Sequence, residues 1–358
     1  MTVQMNHLSK QNRWLEAKID SLQVLTRSKK LESLIPALAQ NKNKLEQSEP
    51  MFDNPFSIED LAVFDSSTLL KMLQNSMYGL TVLDLAIGLQ GAPIQLVTKV
   101  VQSLPYLQRA IFIRHNQTPS TLTEVQAARQ RILNKLFWEL TYWKTPELYE
   151  ELTTGEKLHP GIFANLQPYI QNKVILDAGA GSGRASFECV RHGAKQIFAV
   201  EPSPGLLNIL DQKLAAQPVK NRIKPLQGRF DKLPLASHSV DLALACSAFT
   251  ADSSQGGEVG LAELVRVTKP GGKVVIIWPR FEDYTWLEAH GFHYKAMPLH
   301  KEMQVHFGSL AAAWRCTQRF YAHNPALKKF LLLQRKAEVP FSLLGFTPPH
   351  DYCWLEVA

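Results

Sequence analysis

The stretch VILDAGAGSGRAS, residues 174–186, decides how the rest of this 358-residue chain is read. A run of Val, Ile and Leu leads into Asp177, glycines follow at 179, 181 and 183, and a helical pattern begins directly behind them. A short apolar run bounded by glycine suits a buried strand. Glycines at alternate positions let the backbone turn sharply and keep side chains clear of a ligand lying against it. A nucleotide-like ligand is implied, and at this point the turn would serve the phosphates of a dinucleotide equally well.

The residues that follow narrow the reading. About twenty positions on, as in nucleotide-binding folds, the run IFAV at 197–200 ends in Glu201. A carboxylate there can accept from both hydroxyls of a ribose, each bond being worth roughly 1.5–3 kcal/mol. The ligand should therefore carry a ribose without a 2′-phosphate. Further apolar runs at 242–245 and 274–277 alternate with helical stretches. Such alternation predicts an α/β fold, a Rossmann-like parallel sheet flanked by helices.

Next come GRFDKLP at 228–234, SVD at 239–241 and LAELVRVTKPGGKVVII at 261–277, the last read as helix, Pro-Gly-Gly turn and fifth strand. Glycine loop, acid-terminated second strand and RVTKPGG turn together make residues 156–300 resemble the class I S-adenosylmethionine-dependent methyltransferases, in particular the small-molecule branch labelled type 11. The resemblance implies S-adenosyl-L-methionine as cofactor. It implies that Asp177, Gly179, Ala180, Gly181 and Gly183 surround the methionine portion and the sulfonium, and that Glu201 holds the ribose. Pro202 and Ser203 would then lie near the adenine, and Cys246, Ser247 and Ala248 beside the reacting methyl. One position departs from the family: Arg229 stands where an acid usually contacts the adenine amino group, and Asp231 is the nearby substitute. Methyl transfer from a sulfonium needs alignment more than a metal or a covalent intermediate. Candidate bases are His159, His290, His293 and His306, none favoured over the others.

Residues 1–50 read as a helical arm and linker, with Leu15, Ile19 and Leu22 at helical spacing. Residues 51–152 read as an all-helical module punctuated by Pro and Gly. Its segments FSIEDL (56–61), DLAIGLQGAP (84–93) and LTEVQAARQRIL (122–133) resemble the C-terminal region of the flagellar motor switch protein FliG. That family's stator-facing helix carries an acidic pair, whereas LPYLQRAIFIRH at 104–115 has no acid. A torque-generating role is therefore not expected, and packing or protein-partner binding is. The methyltransferase domain takes residues 153–358, with a helical insert near 301–337 that could cap the substrate pocket and last strands expected to form an antiparallel edge of the sheet. The aromatic residues Trp278, Tyr284, Trp286, Trp314 and Tyr321 are read as core or pocket lining.

Composition excludes several classes. Hydrophobic residues at 45% and charged residues at 20% are ordinary globular values, so a wholly disordered or fibrous chain is ruled out. The net charge of +7 invites a nucleic-acid reading. That excess is spread thinly, however, and the helical module is slightly acidic, with eight Lys/Arg against ten Asp/Glu in residues 51–155. No nucleic-acid partner is expected, because Ala245-Cys246-Ser247-Ala248 replaces the tetrad of adenine amino methylation and no aromatic-interleaved basic groove is present. The four cysteines show no C-x-x-C pair, which argues against a zinc site or a disulfide framework. Without an apolar run of spanning length, a cytoplasmic enzyme with no membrane insertion is expected. Its acceptor is expected to be a small molecule. The alternatives are a polypeptide recruited by the helical module, or a scaffold that binds cofactor without turnover.

Overall fold

A computed structural model describes residues 52–74, 79–217, 221–253 and 255–358. The expected helical arm at 1–50 lies outside the described residues. After a short 3-10 turn at Ile58–Val63, the front half is a run of helices: α1 (Ser66–Gln74), α2 (Val82–Gly88), α3 (Ile94–Ser103), α4 (Tyr106–Gln117), α5 (Leu122–Lys135), α6 (Phe137–Lys144) and α7 (Pro146–Gly155). Local chemistry sets their starts. Thr121 and Glu124 form a reciprocal capping box on α5, and Pro146 opens α7, where its missing N–H costs nothing.

The α/β half begins with α8 (Pro160–Ile170) and continues as β1 (Val174–Ala178), α9 (Arg184–Arg191), β2 (Gln196–Glu201), α10 (Pro204–Ala215), β3 (Ile223–Gln227), β4 (Val240–Cys246), α11 (Gly257–Val267), β5 (Thr268–Ile277), α12 (Tyr284–Ala289) and β6 (His293–Ala296). The chain then leaves the sheet for β7 (Gln304–His306), α13 (Leu310–Phe320), α14 (Pro325–Gln334), β8 (Glu338–Pro340) and α15 (Phe341–Leu344), and returns as β9 (Asp351–Glu356). The main sheet has the order β3-β2-β1-β4-β5-β9-β6. Strands β1 to β5 run parallel, while β9 pairs antiparallel with both β5 and β6. The last strands thus form the antiparallel edge expected from sequence, with β9 inserted one place in and β6 outside it. Central strands β1 and β4 are buried almost throughout, which explains their continuous apolar sequences. Strand β3 sits at an edge and tolerates Pro225, which has no N–H to give a further neighbour.

Two features depart from the sequence reading for physical reasons. The Pro-Gly-Gly segment does not separate α11 from a later strand; it bulges inside β5, whose pairing with β4 jumps from Val240–Thr268 to Leu242–Lys273. Gly271, at φ +75°, takes the left-handed conformation that the bulge requires, and its N–H donates to the Val357 carbonyl at 2.8 Å. The second departure concerns the helical excursion at 304–344. Its buried side chains, among them Val305, Phe320, Leu327 and Phe341, share one continuous core with Phe56, Leu61, Phe137 and Leu140 of the front half. Phe320 stacks on Trp138 at 5.4 Å, and Arg315 Nε donates to Glu151 at 3.0 Å. The excursion thus completes the helical body rather than capping the expected substrate pocket.

Candidate cofactor site

The glycine turn is tied to the neighbouring strand by its own backbone. The amides of Gly179 and Ala180 both donate to the Val200 carbonyl, at 2.8 and 3.0 Å. Its three glycines have positive φ for different reasons. A Cβ on Gly179 would lie 2.4 Å from Ala248 Cβ, so this glycine lets the loop after β4 come close. A Cβ on Gly183 would strike Leu210 Cδ1 at 2.6 Å, so this one serves the packing of α9 on α10. A Cβ on Gly181 would meet nothing within 4 Å. Only there does the missing side chain leave open space for a ligand.

Glu201 closes the turn from the end of β2. It is 5% exposed, and its two oxygens accept from the Gly181 and Ser203 amides, each at 2.9 Å. Burial outweighs those bonds and pushes its carboxyl up to about 7. A carboxylate offers about four lone-pair sites, so capacity for a vicinal diol remains beyond the two amides. Asp177, expected against the methionine portion, is fully buried and accepts from Ser186 Oγ at 2.6 Å, in the first turn of α9. Its Oδ1 has no partner among the described residues, and burial raises its carboxyl to about 6. Its placement is that of a residue fixing strand to helix.

A cavity of about 420 Å³ opens over this turn. Gly179, Gly181, Glu201, Pro202, Asp231 and Cys246 line it, together with Ser247, Ala248, Arg229 and Phe230. Asp177, Ala180 and Gly183 are not among its lining residues. Asp231 pairs with Lys71 of α1, and Arg229 Nε lies 3.9 Å from the same carboxylate. Ser247 holds φ +56° where β4 ends, a strained conformation for a residue with a Cβ, and its amide donates to Ile277 at 2.9 Å.

The opposite wall comes from the helical half. No residue of the excursion lines the cavity; Lys71, Glu139, Tyr142 and Tyr149 of the front helices do. Two interlocks hold that wall in place. Ser203 Oγ donates to the Tyr142 carbonyl at 2.7 Å, and Gly205 in α10 lies so close that an added Cβ would be 2.9 Å from both the Tyr142 oxygen and Pro146 Cγ. The sequence cue was slight: two tyrosines seven residues apart in the helices just before the α/β unit.

None of the four candidate histidines lines this cavity. His290 stacks on Trp286 at 3.8 Å and meets Glu258, and His293 packs on Trp354 at 4.6 Å. His159 and His306 border a second cavity of about 1020 Å³ on the far side of Arg184. The aromatic set behaves mainly as core: Tyr284 and Tyr321 are buried, and Trp278 Nε1 donates to the Thr347 carbonyl at 3.0 Å. Arg184 lines the second cavity and reaches Cys246 of the first. Its guanidinium lies 3.8 Å from Cys246 Sγ, 3.5 Å from Glu156 Oε2 and 5.8 Å from the Trp278 ring centre. Burial pushes the Cys246 thiol up to about 11, so it stays protonated at neutral pH. Burial likewise lifts Glu156 to about 7 against the pull of Arg184.

Residues 175–272 match the model of a methyltransferase domain family. Over 131 residues the chain is 30% identical to the demethylmenaquinone methyltransferase of Porphyromonas gingivalis, covering 36% of this chain and 52% of that one. It is 25% identical over 188 residues to an uncharacterized methyltransferase of Geobacillus kaustophilus, covering 49% and 82%. The first of these matches thus spans about half of its relative's length. Among solved structures, a SAM-dependent methyltransferase from Aquifex aeolicus is 19% identical with a TM-score of 0.35, covering 44% of this chain and 92% of that one. No helix among the described residues is long and apolar enough to cross a membrane. The open space at Gly181 and the buried carboxylate of Glu201 both lie within residues 175–272, the stretch that matches a methyltransferase domain, and the cofactor implied is S-adenosyl-L-methionine.

Proposed function

We propose that the protein transfers a methyl group from S-adenosyl-L-methionine to a small organic acceptor in the cytoplasm. The observation that carries this is a single cavity that joins the open space at Gly181, the Glu201 carboxylate and the end of β4 at Cys246. Glu201 accepts from the ribose hydroxyls, and Pro202 and Phe230 flank the adenine. Arg229, held near Asp231, stands in place of the family's adenine-contacting acid. The bound cofactor supplies an electrophilic methyl on a sulfonium. The chain's task is then to align nucleophile, methyl and sulfur, which can lower the barrier by roughly 7–11 kcal/mol. Cys246, protonated at neutral pH, packs beside the reaction axis without acting as nucleophile. Glu156, lifted to about 7 by burial, lines the second cavity and meets Arg184, whose guanidinium also reaches Cys246.

Titration calorimetry with S-adenosyl-L-methionine on the wild type and on Glu201→Ala tests this reading. Binding by the wild type and a loss of at least thirtyfold in the variant are expected; no binding, or equal binding by both, overturns it.

A second role is favoured by a specific surface. Tyr106 and Leu107 on α4 are 84% and 78% exposed, and Ile111 is also exposed. This helix lies in the stretch whose FliG counterpart faces the stator, and an apolar face there suits a protein partner. Recruitment of a polypeptide acceptor through it is the alternative to a small-molecule acceptor.

A further inference from the structure

Two tyrosines of the front half, Tyr142 and Tyr149, line the cavity that also holds Glu201 and Cys246. Sulfur in S-adenosyl-L-methionine is bonded both to the ribose carbon and to the methyl that leaves. It therefore falls between the group that holds the ribose, Glu201, and the end of β4 at Cys246. Tyr149 lines the same cavity as Glu201 and Cys246. Tyr142 lies beside it, the two rings meeting edge to face at 4.7 Å with 66° between their planes. Both line the cavity opposite Gly179 and Gly181.

Their positions are fixed from behind. Tyr142 stacks on Trp138 at 6.2 Å, Ser203 and Gly205 lock its backbone to α10, and Lys213 pairs with Glu150 at 2.5 Å. Burial holds both phenols far above their ordinary range, so the rings remain neutral. A neutral aromatic face carries partial negative charge and attracts a desolvated cation.

Resting on the methyltransferase reading above, we propose that Tyr142 and Tyr149 of the helical half form the wall that holds the cationic sulfonium and makes the site prefer S-adenosyl-L-methionine to its neutral product, S-adenosylhomocysteine. In the transfer, the sulfur–methyl bond breaks with its electron pair remaining on sulfur, while a lone pair of the acceptor forms the new bond. The sulfur thereby becomes neutral and loses its attraction to the rings. Product release is favoured by the same wall that held the substrate.

Calorimetric dissociation constants for both ligands on the wild type, Tyr149→Leu and Tyr149→Phe test the proposal. In Tyr149→Leu, S-adenosyl-L-methionine should weaken about tenfold, equivalent to ~1.4 kcal/mol, with S-adenosylhomocysteine nearly unchanged. Tyr149→Phe keeps the aromatic face and should keep the wild-type ratio of the two constants. Equal weakening of both ligands in Tyr149→Leu, or collapse of the ratio in Tyr149→Phe, overturns the proposal and leaves cofactor binding standing. Should Tyr149→Leu fail to fold, Tyr142→Leu replaces it with the same expected loss of preference. A wild type that binds neither ligand overturns the cofactor reading together with the proposal.

Discussion

The α/β half and the helical half build opposite walls of one cavity by different means. On the sheet side the wall is made of strand ends and tight turns, where backbone hydrogen bonds such as Gly179 to Val200 fix each group directly. On the helical side, Glu139, Tyr142 and Tyr149 project from helices whose place depends on packing against α10 and against the excursion at 304–344. The first wall is set by local sequence; the second exists only once distant segments have met. Sensitivity to mutation should differ accordingly: point changes on the sheet side act at the ligand, whereas changes behind the helical wall act by moving it.

The largest effect is expected from removing the helical half. Deleting residues 1–150 would expose Phe320, Leu327, Leu331 and Phe341, whose core partners lie in the deleted segment. The expected product aggregates or loses cooperative unfolding, seen by light scattering and a thermal melt; a monomer that still binds cofactor would show the halves to be independent. On the sheet side, Gly181→Val would place a β-branched residue at φ +56°, costing about 1–2 kcal/mol of strain, and would fill the open space in the cavity. Cofactor affinity should fall by at least a hundredfold in calorimetry, with only a modest drop in melting temperature.

Glu201→Gln separates two consequences of one buried carboxyl. Its folded pKa, about 7, lies above the ordinary value of 4.5, so the folded state holds a proton that the unfolded state has released. Its contribution to stability is complete below about pH 4.5 and is lost as pH rises through about 7. Glu156 at about 7 and Asp177 at about 6 act in the same direction. The melting temperature of the free protein should decline from pH 5 to pH 7.5 through these groups, and less steeply in Glu201→Gln. Cofactor affinity should move oppositely, rising over that interval in the wild type and staying flat in the variant.

Smaller effects test the fit behind the helical wall. Gly205→Ala forces the Tyr142 carbonyl and Pro146 away from 2.9 Å and should cost about 1–3 kcal/mol in a denaturant melt, with weaker cofactor binding. Lys71→Ala removes an ion pair whose two side chains are about 40% exposed, so its stability cost should stay below about 1 kcal/mol and vanish in high salt.

The same contrast explains what could be read from sequence. Strands β1, β2, β4 and β5 were legible because strands buried on both faces leave continuous apolar runs. Strand β3 was not, since IKPLQ at an edge alternates and contains proline. Gly179, Gly181 and Glu201 were legible because turn chemistry and strand ends are local, although only Gly181 serves open space. For Asp177, sequence gives a strand position but not which neighbour, here Ser186, hydrogen-bonds its side chain. The tyrosine wall was hidden, since nothing local to Tyr142 or Tyr149 encodes the approach of Ser203 and Gly205 some 60 positions later. The excursion was read as a cap because its helices were visible but their core partners were not.

The central claim is that both halves close on one cofactor. Hydrogen–deuterium exchange with and without saturating S-adenosyl-L-methionine tests it most directly. The account predicts slower exchange both in the turn at 179–184 and in the helical segment 139–149. Protection confined to the turn, or absent from both segments, would contradict it.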